Sequence, residues 1–354
     1  MRVARLDIGR PTAADLEGGV LTRDLVVGSA RWAKGRRLSL ADLAALATAR
    51  PASDRLPDAV TVLLLDPDDL HEDEAAVLLA AAVAGPGLTV RGPAQSRVDL
   101  LAATDGVLHV RTALLERLDR IDRLEVFTGF DGSVVRAGDL VASVKIAPHT
   151  IPAAVLARAT RGLRGGRSAI IRVDPFRSLK VAVLVKESLR AADRSRFEAS
   201  VRDKVESLGS SVIEISYVSD EDAAVAAALE RLTRGRASSA ADVVLTAGGR
   251  STDPVDPFFV AIEGLGGAVV RRGVPAHPGS MLWLARIGRT GILGLPTCGA
   301  YSKATAADLV LPRLLTGERP GPALVAGLGH GGILTRDQRF RFPPYARDLE
   351  APEG

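Results

Sequence analysis

The stretch DVVLTAGGRSTDPVDPF, residues 242–258, decides how the second half of the chain is interpreted. An apolar run over 241–249 predicts a buried strand that breaks at Gly248 and Gly249, and a helix is predicted to begin near Asp256. Glycines let the backbone turn sharply and approach a ligand closely. N–H groups at such a turn and at a helix start can bind an anion. The pattern predicts a phosphate site at a strand end, with an ordinary strand-to-helix turn as the alternative.

A second loop, TGILGLPTCGAYSK (290–303), has the same design. A predicted strand ends at Gly-Leu-Pro, and hydroxyl groups and a lysine follow before the next predicted helix. Two such loops on one sheet predict a bipartite anion site. The candidate binding residues in the two loops are Thr246, Gly248, Gly249, Ser251, Thr252, Gly294, Pro296, Thr297, Cys298 and Ser302.

Strands and helices alternate regularly around these loops. Strands are predicted at 179–188, 210–220, 241–249 and 290–296, and helices at 194–209, 222–235, 256–267 and 303–317. Alternation with short connections predicts an α/β fold, a three-layer, doubly wound, mostly parallel sheet with helices on both faces. Ligands of such sheets bind outside the carboxyl ends of the strands, where both loops are expected.

The first half of the chain has a different pattern, which predicts a smaller mixed α+β domain. SLADLAALATAR (39–50) predicts a helix with Ser39 as its N-cap. AVTVLLLD (59–66) predicts a buried strand, and HEDEAAVLLAAAVAG (71–85) a second helix. DGSVVRAGDLVASVKI (131–146) alternates like a hairpin.

The pattern divides the chain into four parts. The predicted boundaries are 1–157 for the N-terminal domain, 158–178 for an Arg/Gly-rich linker, 179–320 for the α/β domain and 321–354 for a C-terminal tail that packs on the domains.

Composition narrows the class of protein. The 354 residues are 47% apolar and 25% charged, as in ordinary globular proteins. The only cysteine is Cys298, the N-terminus has no apolar signal segment, and no apolar run could span a bilayer, so we expect a cytoplasmic protein without a membrane partner. The net charge is +4, but the Arg cluster at 158–167 lacks any nucleic-acid-binding motif. A small anionic ligand is therefore expected rather than nucleic acid.

Several motifs between about 178 and 320 resemble, in order, the molybdopterin-binding domain shared by molybdopterin adenylyltransferases and molybdenum insertases. KVAVLVKES (180–188) resembles its first strand and turn, and YVSDEDA (217–223) its second strand end. DVVLTAGGRSTDPVD (242–256) resembles its Gly-Gly-x-Ser/Thr turn with a downstream Asp, and 266–298 its Pro-Gly element and Gly-Leu-Pro loop. The resemblance implies molybdopterin or the molybdenum cofactor as the ligand, and it adds Pro278 and Gly279 to the binding residues.

The chain departs from this family at four points. The insertase turn Ser/Thr-Gly-x-Glu reads Val-Lys-Glu-Ser at 185–188, and the Pro-Gly-x-Pro element reads Pro-Gly-Ser-Met at 278–281. The Gly-Leu-Pro-Gly-Asn-Pro loop reads Gly-Leu-Pro-Thr-Cys-Gly at 294–299, and the Asp-Asn-Ser-x-Met-Asp-Gly signature is absent. These departures argue against molybdate insertion. The chain is more similar to a branch often fused to a molybdenum cofactor cytidylyltransferase-type domain.

The resemblance leaves three functions open. The first is a transferase of the molybdopterin adenylyltransferase or molybdotransferase type, in which Asp256 with Mg²⁺ and a nucleotide, and Ser251 as an orienting group, are catalytic. The second is a carrier that hands the cofactor to a nucleotidyltransferase or an apo-molybdoenzyme, and the third is a nucleotide-pyrophosphate hydrolase. Asp256 either positions Mg²⁺ or caps its helix, and Cys298 is either a reactive thiolate or a residue that fills the turn. The resemblance also implies a homo-oligomer.

Overall fold

The computed structural model describes residues 1–10, 14–50, 56–163, 165–186, 190–235, 240–295, 303–346 and 348–349. These residues form two compact units. Unit 1 comprises residues 1–104, 109–131 and 137–173, and unit 2 comprises 105–108, 132–136 and the chain from 174 onward. The chain therefore passes from one unit to the other five times.

The elements are numbered in chain order. The strands are β1 (Arg2–Asp7), β2 (Val20–Leu21), β3 (Leu25–Val27), β4 (Ala30–Trp32), β5 (Ala59–Leu64), β6 (Asp69–His71), β7 (Leu88–Ala94), β8 (Arg97–Ala102), β9 (Gly106–Val110), β10 (Leu124–Thr128), β11 (Val134–Val135), β12 (Leu140–Ile146), β13 (Thr150–Pro152), β14 (Ile171–Pro175), β15 (Lys180–Val185), β16 (Ser211–Tyr217), β17 (Val243–Ala247), β18 (Ala268–Arg272), β19 (Trp283–Ile287), β20 (Thr290–Gly294), β21 (Lys303–Ala304) and β22 (Asp348–Leu349). The α-helices are α1 (Leu40–Thr48), α2 (Glu72–Val83), α3 (Thr112–Asp119), α4 (Ala153–Thr160), α5 (Ala191–Glu206), α6 (Asp222–Arg234), α7 (Pro257–Gly264), α8 (Ala306–Leu315) and α9 (Pro322–Ala326).

Three elements predicted for the first half are confirmed in unit 1. Helix α1 begins after Ser39, whose hydroxyl accepts a hydrogen bond from the Asp42 N–H (3.2 Å), while the Asp42 carboxylate accepts one from the Ser39 N–H (3.1 Å). This reciprocal pair satisfies two N–H groups that the helix itself leaves unbonded. Strand β5 lies at the centre of a three-stranded sheet, and α2 occupies most of the predicted second helix.

The hairpin predicted at 131–146 is wrong. Strand β12 lies between β10 and β8 in one sheet, whereas β11 pairs with β9 in another. Gly138 does make a turn, with a φ of +90°, but its N–H donates to Ala102 O rather than closing a hairpin. Alternating hydrophobicity identifies strands, but it does not identify their partners.

The predicted linker includes regular structure. Helix α4 extends to Thr160, and β14 occupies 171–175. Ile171 and Val173 of this strand are fully buried. The arginines and glycines dominate the composition of this segment and led to the linker prediction. The apolar residues at its end nevertheless belong to the hydrophobic core.

Unit 2 is built around a six-stranded sheet with the order β16-β15-β17-β20-β19-β18. The first four strands are parallel, and β19 and β18 form an antiparallel edge beside them. Helices cover both faces: one core contains Val183, Phe197 and Val310, and the other contains Leu184 and Leu229. The predicted three-layer, mostly parallel α/β fold is confirmed, while β18 and β19 were not predicted.

The parallel strands end at one edge of this sheet. The Val218 N–H donates to Val185 O (2.9 Å), the Lys186 N–H to Ala247 O (3.1 Å), and the Leu295 N–H to Thr246 O (2.8 Å). We call the residues that follow these strands, 186, 218–220, 248–256 and 295, the carboxyl edge. In neither unit does the structure describe a helix that is both long and apolar enough to cross a bilayer.

Candidate functional site

Lys186 lies at the centre of the carboxyl edge, directly after β15. Its side chain is fully buried, and its Nζ lies 2.6 Å from Asp220 Oδ1 and 2.8 Å from Asp256 Oδ2. The Phe258 ring lies on the same ammonium, with its centroid 5.3 Å from Nζ. A buried ammonium is stable only when such partners replace water. One cation therefore joins the ends of three neighbouring segments of the sheet edge.

Asp256 uses both of its carboxylate oxygens within the protein. Its side chain is 1% exposed. Oδ1 accepts a hydrogen bond from the Phe258 N–H (2.9 Å), which caps α7, and Oδ2 accepts one from the Arg250 N–H (2.7 Å) in addition to Lys186. The structure therefore shows the capping role for Asp256, and it adds a buried ion pair that the sequence did not predict.

Arg250 completes the charge network on the solvent side. Its Nη2 donates to Asp220 Oδ2 at 2.8 Å, and its side chain is 60% exposed. The hydrogen bond from Lys186, with the positive charges of Lys186 and Arg250, holds the pKa of Asp220 below its usual value. Asp220 is therefore ionised throughout the physiological pH range, and two cations face two carboxylates at this edge.

The Gly-Gly turn is shaped by the residues around it. Gly248 has a φ of +85°, in the region that favours glycine. A Cβ on Gly249 would lie 3.2 Å from Phe258 Cδ2 and 3.4 Å from Trp283 Nε1, so the aromatic rings leave little room for a side chain here. Because these two residues have no side chains, the Gly-Gly part of the turn can lie closely against the aromatic core.

The backbone of this turn presents free donors. Within the described residues, the N–H groups of Gly248, Gly249, Ser251 and Thr252 have no hydrogen-bond acceptor, whereas the Arg250 N–H is bonded to Asp256. Ser251 is half-buried and Thr252 is exposed. Unsatisfied N–H groups next to a helix start can bind an anion. These residues are the part of the predicted site that the structure brings together.

Thr246 adds a buried hydroxyl at the end of β17. It is 1% exposed, and within the described part of the chain its Oγ1 has no hydrogen-bond partner. Such an orphaned group is uncommon in folded proteins and needs an explanation, such as an ordered water or a ligand.

The structure gives packing roles to three other predicted binding residues. A Cβ on Gly294 would lie 2.0 Å from the Trp283 ring, so glycine is required for packing here. Pro278 O accepts a hydrogen bond from the Ala306 N–H (2.9 Å), and a Cβ on Gly279 would lie 2.8 Å from that nitrogen. Pro278 and Gly279 therefore support the start of α8, and ligand contact by these residues stays a prediction.

Four predicted residues of the second loop lie outside the described residues. They are Pro296, Thr297, Cys298 and Ser302. Their part in a bipartite site, and the reactivity of Cys298, remain predictions.

The carboxylates do not fit the Mg²⁺ that the sequence suggested. Both oxygens of Asp256 and both oxygens of Asp220 already accept hydrogen bonds, from Lys186, Arg250 and the Phe258 N–H. Mg²⁺ would need these same oxygens as ligands. Among the residues that the structure describes, no group of three or more His, Cys, Asp or Glu side chains could hold a metal ion.

Sequence reasoning missed Lys186, Asp220 and Arg250 as residues of the site. A signal existed, because Lys186 lies where the resembling families have a Ser/Thr-Gly turn, and Asp220 lies at the matching second strand end. Only the strand order shows that the ends of β15, β16 and β17 are neighbours.

Comparison with known proteins identifies this part of the chain. Residues 186–316 match the family model described as a probable molybdopterin binding domain, so the chain contains a domain of the molybdopterin-binding family. A search of curated proteins found no match.

Solved structures of molybdenum cofactor biosynthesis proteins are similar at low identity. MoaB from Thermus thermophilus is 22% identical over 40% of this chain and 98% of its own, with a TM-score of 0.29. MoeA from Pyrococcus horikoshii is 16% identical over 73% of this chain and 80% of its own, with a TM-score of 0.30. A molybdenum cofactor biosynthesis protein B is 17% identical over 40% of this chain and 95% of its own, with a TM-score of 0.30.

Proposed function

We propose, from the family of residues 186–316, that this domain binds molybdopterin or its nucleotide form by a phosphate group at residues 248–252 of the carboxyl edge. The observation that carries the proposal is the set of N–H groups at Gly248, Gly249, Ser251 and Thr252 that have no acceptor among the described residues. Several free donors close to a helix start suit a phosphate better than a neutral group.

The charge network makes the edge compatible with an anion. Two carboxylates so close to the turn would repel a phosphate if they were unpaired. Lys186 and Arg250 neutralise Asp220 and Asp256, and Arg250 is itself a residue of the turn with an exposed side chain. A hydrogen bond between charged groups contributes about 1.5–3 kcal/mol, so one such contact would add substantially to the affinity.

The state of Asp256 supports binding and delivery rather than catalysis. A group that assists nucleotidyl transfer must reach the metal or the reacting phosphate, but both oxygens of Asp256 are held inside the protein. We therefore propose a carrier that delivers the cofactor to a nucleotidyltransferase or an apo-molybdoenzyme. Function in the cytoplasm and as a homo-oligomer stays a prediction.

Ser251→Asp tests the phosphate site. A carboxylate beside the free N–H groups should repel the phosphate and weaken molybdopterin binding at least about tenfold, which corresponds to about 1.4 kcal/mol. The measurement is an anaerobic titration followed by pterin fluorescence. The matched control is Ser178→Asp, which adds the same charge at an exposed residue ahead of β15, at the opposite edge of the sheet. Equal affinities for both variants would rule out the 248–252 turn as the site.

A turnover assay tests the carrier proposal. The chain is incubated with molybdopterin, Mg²⁺ and ATP or CTP, and the products are separated by chromatography. We expect bound but unmodified molybdopterin. A nucleotidylated product that Asp256→Asn abolishes would instead establish a transferase.

A further inference from the structure

Among the described residues of unit 2, two lysine side chains, Lys186 and Lys204, are buried against aspartates, and they differ in the number of carboxylates that each contacts. Within the part of the chain that the structure describes, Lys204 Nζ contacts one carboxylate, that of Asp308, whose other oxygen accepts a hydrogen bond from the Thr305 N–H (2.9 Å) at the start of α8. Lys186 Nζ instead lies between two carboxylates, at 2.6 and 2.8 Å. The first is an ordinary buried ion pair, and the second is a cation shared by two acidic groups at the proposed ligand edge.

We propose that the Lys186 ammonium takes the place of a divalent cation between Asp220 and Asp256, so that phosphate binding at 248–252 needs no Mg²⁺. The claim that phosphate binding needs no Mg²⁺ rests on the proposed function. The claim that Lys186 replaces a divalent cation applies to the ligand-free protein and is tested separately.

The geometry explains why the ammonium and a metal ion exclude one another. A divalent cation takes carboxylate oxygens as ligands at about 2.0–2.6 Å. Asp220 Oδ1 and Asp256 Oδ2, the oxygens that face each other across the edge, already contact Lys186 Nζ. The aliphatic part of the lysine is fully enclosed, so the ammonium cannot move away into solvent without unpacking the edge.

The carboxylates are also positioned independently of Lys186. Asp256 is held by the Arg250 and Phe258 N–H groups, and Asp220 by the guanidinium of Arg250. Removing the ammonium should therefore leave both carboxylates in place, with a negative charge that is no longer compensated. The carboxylate of Asp256 is buried. Such a charge is strongly unfavourable unless a cation replaces the one removed.

The experiment uses Mn²⁺ as the probe and the full-length chain. Wild-type protein should give no Mn²⁺ binding at this edge by electron paramagnetic resonance, and neither millimolar Mg²⁺ nor EDTA should change its melting temperature. Lys186→Met should melt several degrees lower, should bind Mn²⁺ at one site per chain, and should regain stability when Mg²⁺ or Mn²⁺ is added. Lys204→Met is the matched control: it should lose stability similarly and show no recovery with either ion.

Three results would overturn the inference. The first is one Mn²⁺ bound by the wild type and lost in Asp256→Asn. The second is the same response to Mn²⁺ in Lys186→Met and Lys204→Met. The third needs no variant and applies even if Lys186→Met does not fold: EDTA lowers the affinity of the wild type for molybdopterin. A wild type that binds neither molybdopterin nor Mn²⁺, beside a Lys186→Met variant that binds Mn²⁺, would refute the proposed function but support the inference about the cation.

Discussion

At the scale of single residues, Gly294 shows how packing and ligand binding can favour the same residue type. The glycine was predicted to bind a ligand, but the structure places the Trp283 ring directly against it, 2.0 Å from where a Cβ would lie. Trp283 is also in contact with Phe259, with ring centroids 5.1 Å apart. The glycine therefore allows the aromatic core to lie beneath the carboxyl edge.

Gly294→Ala should destabilise unit 2 by about 1–3 kcal/mol, because the added methyl group overpacks a rigid aromatic cluster. Urea unfolding followed by tryptophan fluorescence measures this loss. The control is Gly264→Ala at the end of α7, where a Cβ would have no atom within 4 Å. That change should be neutral or stabilising by up to about 1 kcal/mol. Equal effects of the two substitutions would show that Trp283 does not fill this space.

The site was predictable from the sequence only in part. Residues close together in the sequence were predicted, and residues far apart in the sequence were missed. The Gly-Gly turn and Asp256 lie within one short segment, so their combination was visible as a motif. Lys186 and Asp220 are 34 residues apart and come together only because β15 and β16 are adjacent. A buried lysine also looks like a surface residue in a sequence.

At the scale of elements, Asp99 of β8 connects three strands of unit 1. It accepts hydrogen bonds from Arg91 of β7 (2.8 Å), from Arg97 (2.7 Å) and from Ser143 of β12 (2.7 Å). The Arg91 hydrogen bond, with those from Ser143 and Arg97, lowers the pKa of Asp99 to about 2. The carboxylate is 14% exposed, so solvent screens these contacts only partly.

This shift predicts an acid dependence with a defined sign. Because the folded pKa lies below the usual 3.8, the stabilisation is fully present above pH 3.8 and is lost as the pH falls towards about 2. The contribution lost is about 2 kcal/mol. Denaturant unfolding at several pH values should show this loss in the wild type and a flatter dependence in Asp99→Asn. Asp122→Asn, at a side chain that is 93% exposed, should leave the wild-type profile unchanged. A wild-type profile retained in Asp99→Asn would contradict the assignment.

Elements of the central sheet were predicted where the hydrophobic pattern was continuous, as in β15, β17 and β20. The antiparallel edge strands β18 and β19 were missed, although the two residues Gly288 and Arg289 between β19 and β20 have the length of a tight hairpin turn. The hairpin at 131–146 was predicted wrongly for the opposite reason. A real turn connects β11 and β12, but β11 pairs with β9, and β12 pairs with β8 and β10.

At the scale of the whole molecule, the two units are interleaved along the chain. Unit 2 contains 105–108 and 132–136, in which Val134 pairs with Val107 and Val135 with Gly106. The Phe176 N–H donates to Asp105 O (3.2 Å) at the start of the long C-terminal segment. A change of composition along the sequence can suggest only contiguous domains. It does not show that short segments inside the first half of the chain pair with each other as part of unit 2.

A fragment of residues 174–354 should therefore be less stable than unit 2 in the full chain. It lacks the β9–β11 pairing and leaves the Asp105 partner of Phe176 absent, so its melting temperature should be several degrees lower. Differential scanning calorimetry measures the change, and co-expression with 1–173 is the control that should restore stability. A fragment that melts like the intact unit would show that the interleaved segments contribute nothing to it.

Hydrogen–deuterium exchange of the backbone amides tests whether residues 248–252 bind the phosphate. In the free protein, the amides of Gly248, Gly249, Ser251 and Thr252 should exchange rapidly, because within the described residues they have no acceptor. Added molybdopterin should slow exchange in the peptide that covers 248–252 and leave peptides at the opposite edge of the sheet unchanged. Saturating ligand that protects another region, with no change in 248–252, would contradict the proposed phosphate site.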